Sequence, residues 1–399
     1  MARIHITFPL HAHTVERLGL KEDQITELDK VSIFYQPEIG QKQDWRKVGN
    51  VMYSAMEQSI INFRPDVIVI GNNRVPESVL HNWKDSMEKS SNISPMIIRR
   101  GIELGGIPVE LADEYGIHLK NIPRINSPYV ARHMLRHLNL SRSLPGQTIA
   151  VLGAGDIGLP IIKAAVRNGL HVRIISDSLL SGADNHKRIR KMDSIHNYLA
   201  EHGLSDEYVS YPLTYEDALE EAEYVAISVP WWLPKQQRHN IDMLNLKQLK
   251  LLAHGATIVS ASNPRIFTEE ALQWMNQKLP SQRLAKVRID TGHSYATEVY
   301  ERYGCKELDV KAGQAFYCED CLIRLDRALL NVVYEHAGFS SRSLLMAMPR
   351  PRDDMDIESY VVNSQHFYNT ENVFLNANEK IQQLTKNQTR PTAEIRCIS

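Results

Sequence analysis

The run Thr148-Ile149-Ala150-Val151-Leu152-Gly153-Ala154-Gly155-Asp156-Ile157-Gly158 limits the folds open to this chain more than any other stretch of its 399 residues. Its first five residues are β-branched or apolar, as in a strand buried on both faces. Three glycines follow at G-x-G-x-x-G spacing, and Ile161, Ala164, Ala165 and Val166 then recur with helical spacing. A second strand, Val172–Ile175, leads to Asp177, 19 residues beyond Gly158. The glycines alone are a weak signal, but strand, glycine turn, helix, strand and acid together form a dinucleotide-binding fingerprint. Gly153 permits the tight turn, Gly155 lets the backbone approach a pyrophosphate, and Gly158 lets the helix sit close to the sheet. The helix start turns free N–H groups towards the phosphates. Asp177 would accept hydrogen bonds from the adenosine ribose and repel a 2′-phosphate, which favours NAD over NADP. The basic run Lys187-Arg188-Ile189-Arg190-Lys191 reads as a solvated face, or as a surface that greets a phosphate.

The rest of the chain repeats an α/β rhythm. Short apolar runs at Ile4–Phe8, Val31–Phe34, Val67–Ile70, Met96–Ile98 and His118–Asn121 predict strands in the first part, with helical spacing over Trp45–Phe63 and Val109–Tyr115. Ser127–Leu138 reads as a helix that leads into a second domain. That domain continues with strands at Val225–Val229, Thr257–Val259 and Val287–Ile289. Strands alternating with helices imply parallel sheets covered on both faces. Cys321–His336 has strong helical periodicity. From Pro349 the chain turns polar, and Met355–Leu375 mixes alternating and aromatic residues.

With 46 Lys and Arg against 47 Asp and Glu, the net charge of −1 gives no bulk attraction to nucleic acid or an anionic membrane. No apolar run approaches the ~18 residues of a membrane span, and the start shows no signal-peptide pattern. The expectation is a soluble cytoplasmic protein acting on a small molecule. Four cysteines are too few for a disulfide framework.

Beyond the glycine turn, the segments Asp66–Ile70, Ile98–Gly101, Asn121–Ser127 with Val130-Ala131, Ala226–Pro230, Ala256–Ala261 and Glu269–Leu272 stand in an order and spacing that resembles the NAD-dependent D-2-hydroxyacid dehydrogenases. This is the family of formate, glycerate and phosphoglycerate dehydrogenases. The resemblance runs from about Pro65 to Asp290, a little over half the chain. It implies a doubly wound Rossmann NAD-binding domain inserted in a flavodoxin-like substrate domain. The domain expectations are 1–140 for the first part of the substrate domain, 141–297 for the NAD domain, 298–345 for the return, and 346–399 for an extension. It also implies an active site between the domains, a homodimer formed through the NAD domain, and NAD held by Gly153, Gly155, Asp156, Ile157, Gly158, Asp177, Ser228, Val229, Pro230, Ala261 and Asp290. Asp290 would face the nicotinamide carboxamide.

The catalytic set departs from the family. The family's substrate-binding Arg falls on Asn263, with Arg265 two residues later; its Glu falls near Gly292-His293; and its late Pro-His segment has no counterpart, Lys311–Ala315 standing near there instead. Where the family has a small glycine-containing turn for a carboxylate, this chain has Ile102-Glu103-Leu104-Gly105-Gly106. Glu103 would repel a carboxylate there and suit a neutral or cationic group, unless it points to solvent. These features suggest a site rebuilt around Arg265 and His293, with Glu298 or Glu103 as the carboxylate beside His293. The leading expectation is hydride transfer to or from a small oxygen- or nitrogen-bearing carbon, not a simple 2-hydroxy acid. The alternatives are an NAD-binding sensor or assembly protein, or a non-redox enzyme using NAD transiently.

Three weaker features stay open. Cys318 and Cys321 form a C-x-x-C with Cys305 upstream, compatible with zinc, redox sensing or ordinary cysteines, and no metal is expected. His133 and His137 share a helix face beside Arg132 and Arg136, which favours packing or solvent over a metal. The paired Trp231 and Trp232 suggest one ring stacked on a ligand or partner.

Overall fold

The computed structural model describes residues 2–36 and 56–339, except 9, 29–30, 58–59, 72–74, 88–92, 101–106, 123, 181, 234–237, 280, 282, 292, 313–314 and 316–317. The chain divides into two compact units. Among the described residues, one comprises Met1–Ile125 and the chain from Cys318 onward, and the other comprises Asn126–Tyr317.

The first unit is built on a six-stranded sheet of β1 (Ala2–Ile6), β2 (Gln24–Leu28), β3 (Val31–Tyr35), β4 (Val67–Ile70), β5 (Met96–Arg99) and β6 (His118–Asn121), in the order β2-β3-β1-β4-β5-β6. All pairings are parallel except the edge hairpin β2–β3. The four residues of β4 are wholly buried, as expected of a parallel strand covered on both faces. Helices α1 (Ala12–Leu18), α2 (Glu77–Met87) and α3 (Val109–Glu114) link the strands. Trp83 of α2 is fully buried, and its indole N–H donates to the Pro65 carbonyl, so the ring adds apolar area without an unpaired donor. The expected Trp45–Phe63 helix lies largely outside the described residues; Met56 and Ile60 within it are buried.

The second unit opens with helix α4 (Ser127–Leu138). Its seven-stranded sheet comprises β7 (Thr148–Leu152), β8 (His171–Ile175), β9 (Val209–Ser210), β10 (Tyr224–Ile227), β13 (Ala256–Ser260), β14 (Leu284–Thr291) and β15 (Asp309–Ala312), with a separate ribbon of β11 (Trp232–Leu233) and β12 (Arg238–His239). The strand order β15-β14-β13-β10-β7-β8-β9 is parallel throughout. Helices α5 (Gly158–Arg167), α6 (Asn185–Glu201), α7 (Tyr215–Leu219), α8 (Leu246–Leu249), α9 (Glu269–Lys278) and α10 (His293–Glu301) connect them. Helix α11 (Glu319–His336) belongs to the first unit.

Both sheets have the doubly wound form inferred from sequence, but the unit boundaries differ from the expected ones. The first crossing falls at Asn126 because α4 buries Val130, Met134 and Leu138 in the same core as Ile149, Ile161 and Ile174. The return falls at Cys318, later than residue 298, because β15 extends the second sheet beside β14. Met355–Leu375 and the rest of the expected extension lie outside the described residues. No described helix is long and apolar enough to cross a membrane.

Candidate active site

In the second sheet the chain leaves β7 towards β8 on one side, while β10 lies on the other. Crevices at such a switch point, beyond the strand carboxyl ends, are where α/β sheets place ligands. Leu152 pairs with Ile227, so the glycine turn after β7 lies abreast of Ser228 after β10. The Ser228 amide donates to the Leu152 carbonyl at 2.8 Å, and its hydroxyl donates to the Gly153 carbonyl at 3.2 Å.

Each glycine has a separate physical reason. Gly153 sits at φ +97°, and a Cβ there would lie 2.8 Å from the Ser228 carbonyl oxygen. At Gly158 a Cβ would fall 1.8 Å from the Gly153 carbonyl oxygen, so only glycine lets α5 start this close to the turn. At Gly155 a Cβ would meet no protein atom within 4 Å. That open face is what close approach of a ligand backbone requires, and a diphosphate fits it with the α5 amides behind it. Asp177 stands exposed just past the end of β8, and the half-buried Ser228 and Val229 lead to the exposed Pro230. The Ser262 hydroxyl holds the Val229 carbonyl at 2.8 Å, tying the β10 and β13 ends together beside Ala261. Asp290 is buried near the end of β14, where its carboxylate accepts the Ala315 amide at 3.0 Å.

The expected catalytic residues are partly brought together. Asn263 is buried and caps a short turn over Pro264–Ile266, its side-chain oxygen accepting the Arg265 amide at 3.0 Å. The Arg265 guanidinium meets Glu298 of α10 through two nitrogens, at 2.8 Å and 3.0 Å to one carboxylate oxygen, and lies over the Tyr295 ring at 5.3 Å. Glu298 also accepts from Arg302 and the Tyr303 hydroxyl, each at 3.1 Å. Burial pulls the Glu298 carboxyl up, but the hydrogen bonds and charge of Arg265 outweigh it, leaving Glu298 below its ordinary value.

His293 opens α10. It lies five residues before Glu298, which sets the two positions about 140° apart around the helix axis. Glu298 is thus the partner of Arg265. Glu103 lies outside the described residues.

The neighbouring residues have partners that the sequence did not specify. Trp231 stacks on His239 with centroids 4.6 Å apart and approaches Tyr295 at 6.1 Å, so an aromatic wall borders Arg265. Lys191 turns inward from the basic run and is 5% exposed, its ammonium donating to the Ala154 carbonyl inside the glycine turn. The signal was its spacing: Lys191, Ile195, Tyr198 and Leu199 form one buried stripe of α6. The His133 and His137 rings meet in a tilted contact with centroids 4.5 Å apart, and the Lys286 ammonium reaches the His137 ring at 2.9 Å and its carbonyl at 3.1 Å. Cys318 is exposed, whereas Cys305 and Cys321 are buried and burial pushes both thiols up, Cys305 to about 11. Among the described residues, no three His, Cys, Asp or Glu side chains are grouped to hold a metal ion.

No family model matches the chain. Its sequence is 26% identical over 239 residues to a hydroxypyruvate reductase of Thermotoga maritima, covering 54% of this chain and 67% of that one. It is also 26% identical over 196 residues to a D-lactate dehydrogenase of Streptococcus agalactiae, covering 43% and 51%. Among solved structures, the apo D-lactate dehydrogenase of Escherichia coli superposes with a TM-score of 0.56 at 16% identity, over 85% of this chain and 98% of that one. The chain is D-2-hydroxyacid dehydrogenase-like. The D-lactate dehydrogenase of Lactobacillus jensenii, solved with NAD+, shares that fold with a TM-score of 0.52 at 13% identity, over 84% and 97%. This chain has the glycine turn after β7 and an acid past β8, and Asn263 caps the turn after β13.

Proposed function

We propose that the chain is an NAD-dependent oxidoreductase of the D-2-hydroxyacid dehydrogenase type. The observation that carries this reading is the glycine cradle. Gly158 has no room for a Cβ, Gly155 faces open space, and an exposed acid stands past the next strand. Relatives named for hydroxypyruvate reduction and D-lactate oxidation support it.

In this reading the turn of Gly153, Gly155, Asp156, Ile157 and Gly158 receives the diphosphate, and Asp177 receives the adenosine ribose. Ser228, Val229, Pro230 and Ala261 line the path to the nicotinamide, and Asp290 faces its carboxamide. NAD supplies the carbon that accepts or returns hydride. Arg265 orients the substrate oxygen or nitrogen, Asn263 fixes the turn that carries Arg265, and His293 exchanges the proton. Because Glu298 balances the Arg265 charge, the substrate is a small neutral or cationic molecule and not a simple 2-hydroxy acid. The enzyme acts as a cytoplasmic homodimer.

The test is reduced-nicotinamide absorbance across alcohols, amines, hydroxypyruvate and D-lactate. Turnover of a neutral or cationic compound above the hydroxy acids supports the reading. D-lactate as the preferred substrate overturns the charge argument, and no turnover of any compound overturns hydride transfer. The bidentate Arg265–Glu298 pair favours a second reading, NAD binding without hydride transfer, because it occupies two guanidinium nitrogens that a substrate would need.

A further inference from the structure

Of the five basic-run positions Lys187–Lys191, most suit a solvated surface, but Lys191 is buried. It reaches under the glycine turn from α6, and its ammonium donates to the carbonyl of Ala154, between Gly153 and Gly155. The same turn carries Asp156, whose charge acts on Lys191. A carboxylate in a turn that receives a diphosphate is an electrostatic liability, since like charges a few ångströms apart repel.

We infer that Lys191 is the cation of the diphosphate site, supplied from behind the glycine turn by α6, where it balances Asp156 and attracts the anionic centre of a dinucleotide. The inference rests on the dinucleotide reading of this turn.

Bracing the Ala154 carbonyl does not by itself account for a lysine here. An ammonium loses hydration on burial, so it is a costly choice where a neutral donor would serve. The α6 stripe that carries Lys191 packs into an apolar core, in which Ile195, Tyr198 and Leu199 meet Ala154, Leu159 and Leu179. Arg188, one turn earlier, is turned away to the Leu179 and Tyr211 carbonyls. Asp156 is a charged group that acts on Lys191. Burial lowers the ammonium to about 8, against the pull of Asp156. An arriving diphosphate favours the protonated form, so binding is coupled to proton uptake on the alkaline side.

Calorimetric titration with ADP-ribose, which carries the diphosphate, and with adenosine, which does not, tests this on the full chain. Lys191→Gln keeps a donor for the Ala154 carbonyl but loses the charge. It is expected to weaken ADP-ribose by about tenfold, the scale of one screened charge contact, while adenosine changes by less than about twofold. Lys191→Arg is expected to bind ADP-ribose within a few-fold of wild type. Wild-type affinity for ADP-ribose should weaken between roughly pH 7 and pH 9.5 and that of Lys191→Arg should stay flat, because a guanidinium remains charged. Wild-type ADP-ribose binding that is flat with pH, Lys191→Gln binding like wild type, or equal losses for adenosine and ADP-ribose would overturn the inference. The wild-type pH series stands even if a variant does not fold. A wild type that binds neither ADP-ribose nor NAD+ refutes the dinucleotide reading itself, which separates that failure from failure of the lysine's role.

Discussion

Two glycine-to-alanine changes in one turn should have opposite consequences. At Gly158 the new Cβ would lie 1.8 Å from the Gly153 carbonyl oxygen, a backbone atom, whereas ordinary contact begins near 3.4 Å. The start of α5 must therefore move by about 1.6 Å relative to the turn. Overpacking of this kind costs about 1–3 kcal/mol, which for a unit of this size lowers Tm by roughly 3–10 °C. At Gly155 the Cβ meets nothing within 4 Å, and the backbone is not in the left-handed region. Gly155→Ala should hold or raise stability by up to about 1 kcal/mol, through the unfolded chain. Its methyl group nevertheless occupies the face that a diphosphate must approach, so NADH affinity should fall by at least about tenfold. Differential scanning calorimetry and NADH titration on both variants separate the effects. A folded Gly155→Ala that binds NADH like wild type would refute the reasoning, because no ligand would then lie against that face.

Three further outcomes follow from the same physical picture. Glu298→Gln leaves Arg265 without its charged partner and should cost about 1–3 kcal/mol of stability, measured by chemical denaturation. Since the folded carboxyl of Glu298 lies below its ordinary value, its contribution is present above pH 4.5 and is lost as pH falls, a slope that Glu298→Gln should remove. His137 is held down to about 4 by burial and by the charge of Lys286, so stability should rise between pH 4 and pH 6.5, and His137→Gln should flatten that rise. Asp326 of α11, fully buried and bonded to the His11 amide at 2.7 Å, is raised by burial to about 6. Its contribution is present at low pH and lost as pH rises through 6, so Asp326→Asn, which keeps an acceptor for His11, should gain on wild type in Tm between pH 5 and pH 8.

Most of the fold was legible because parallel strands buried on both faces leave continuous β-branched runs, as at Val67–Ile70 and Thr148–Leu152. The strands that escaped notice have weaker patterns. β2 is an exposed antiparallel edge, and β15 sets Val310 between charged Asp309 and Lys311. The late return to the first unit was hidden for the same reason, since it depends on where β15 pairs. The clearances at Gly153, Gly155 and Gly158 could be read from sequence, because glycine positions report backbone clearance directly. The substrate side could not. The partner of Arg265 lies 33 residues away on another element, and nothing local in Glu298 marks it. Lys191 was hidden differently: its charge suggested solvent, while its helical register pointed to the core.

The central claim is that the turn around Gly155 holds the diphosphate of NAD. Calorimetric titration of the wild-type protein with NAD+, NADH and NADP+ tests it most directly. Saturable binding of NAD+ and NADH, with NADP+ weaker because Asp177 faces its extra phosphate, is the predicted result. Absence of saturable heat with all three dinucleotides would contradict the account.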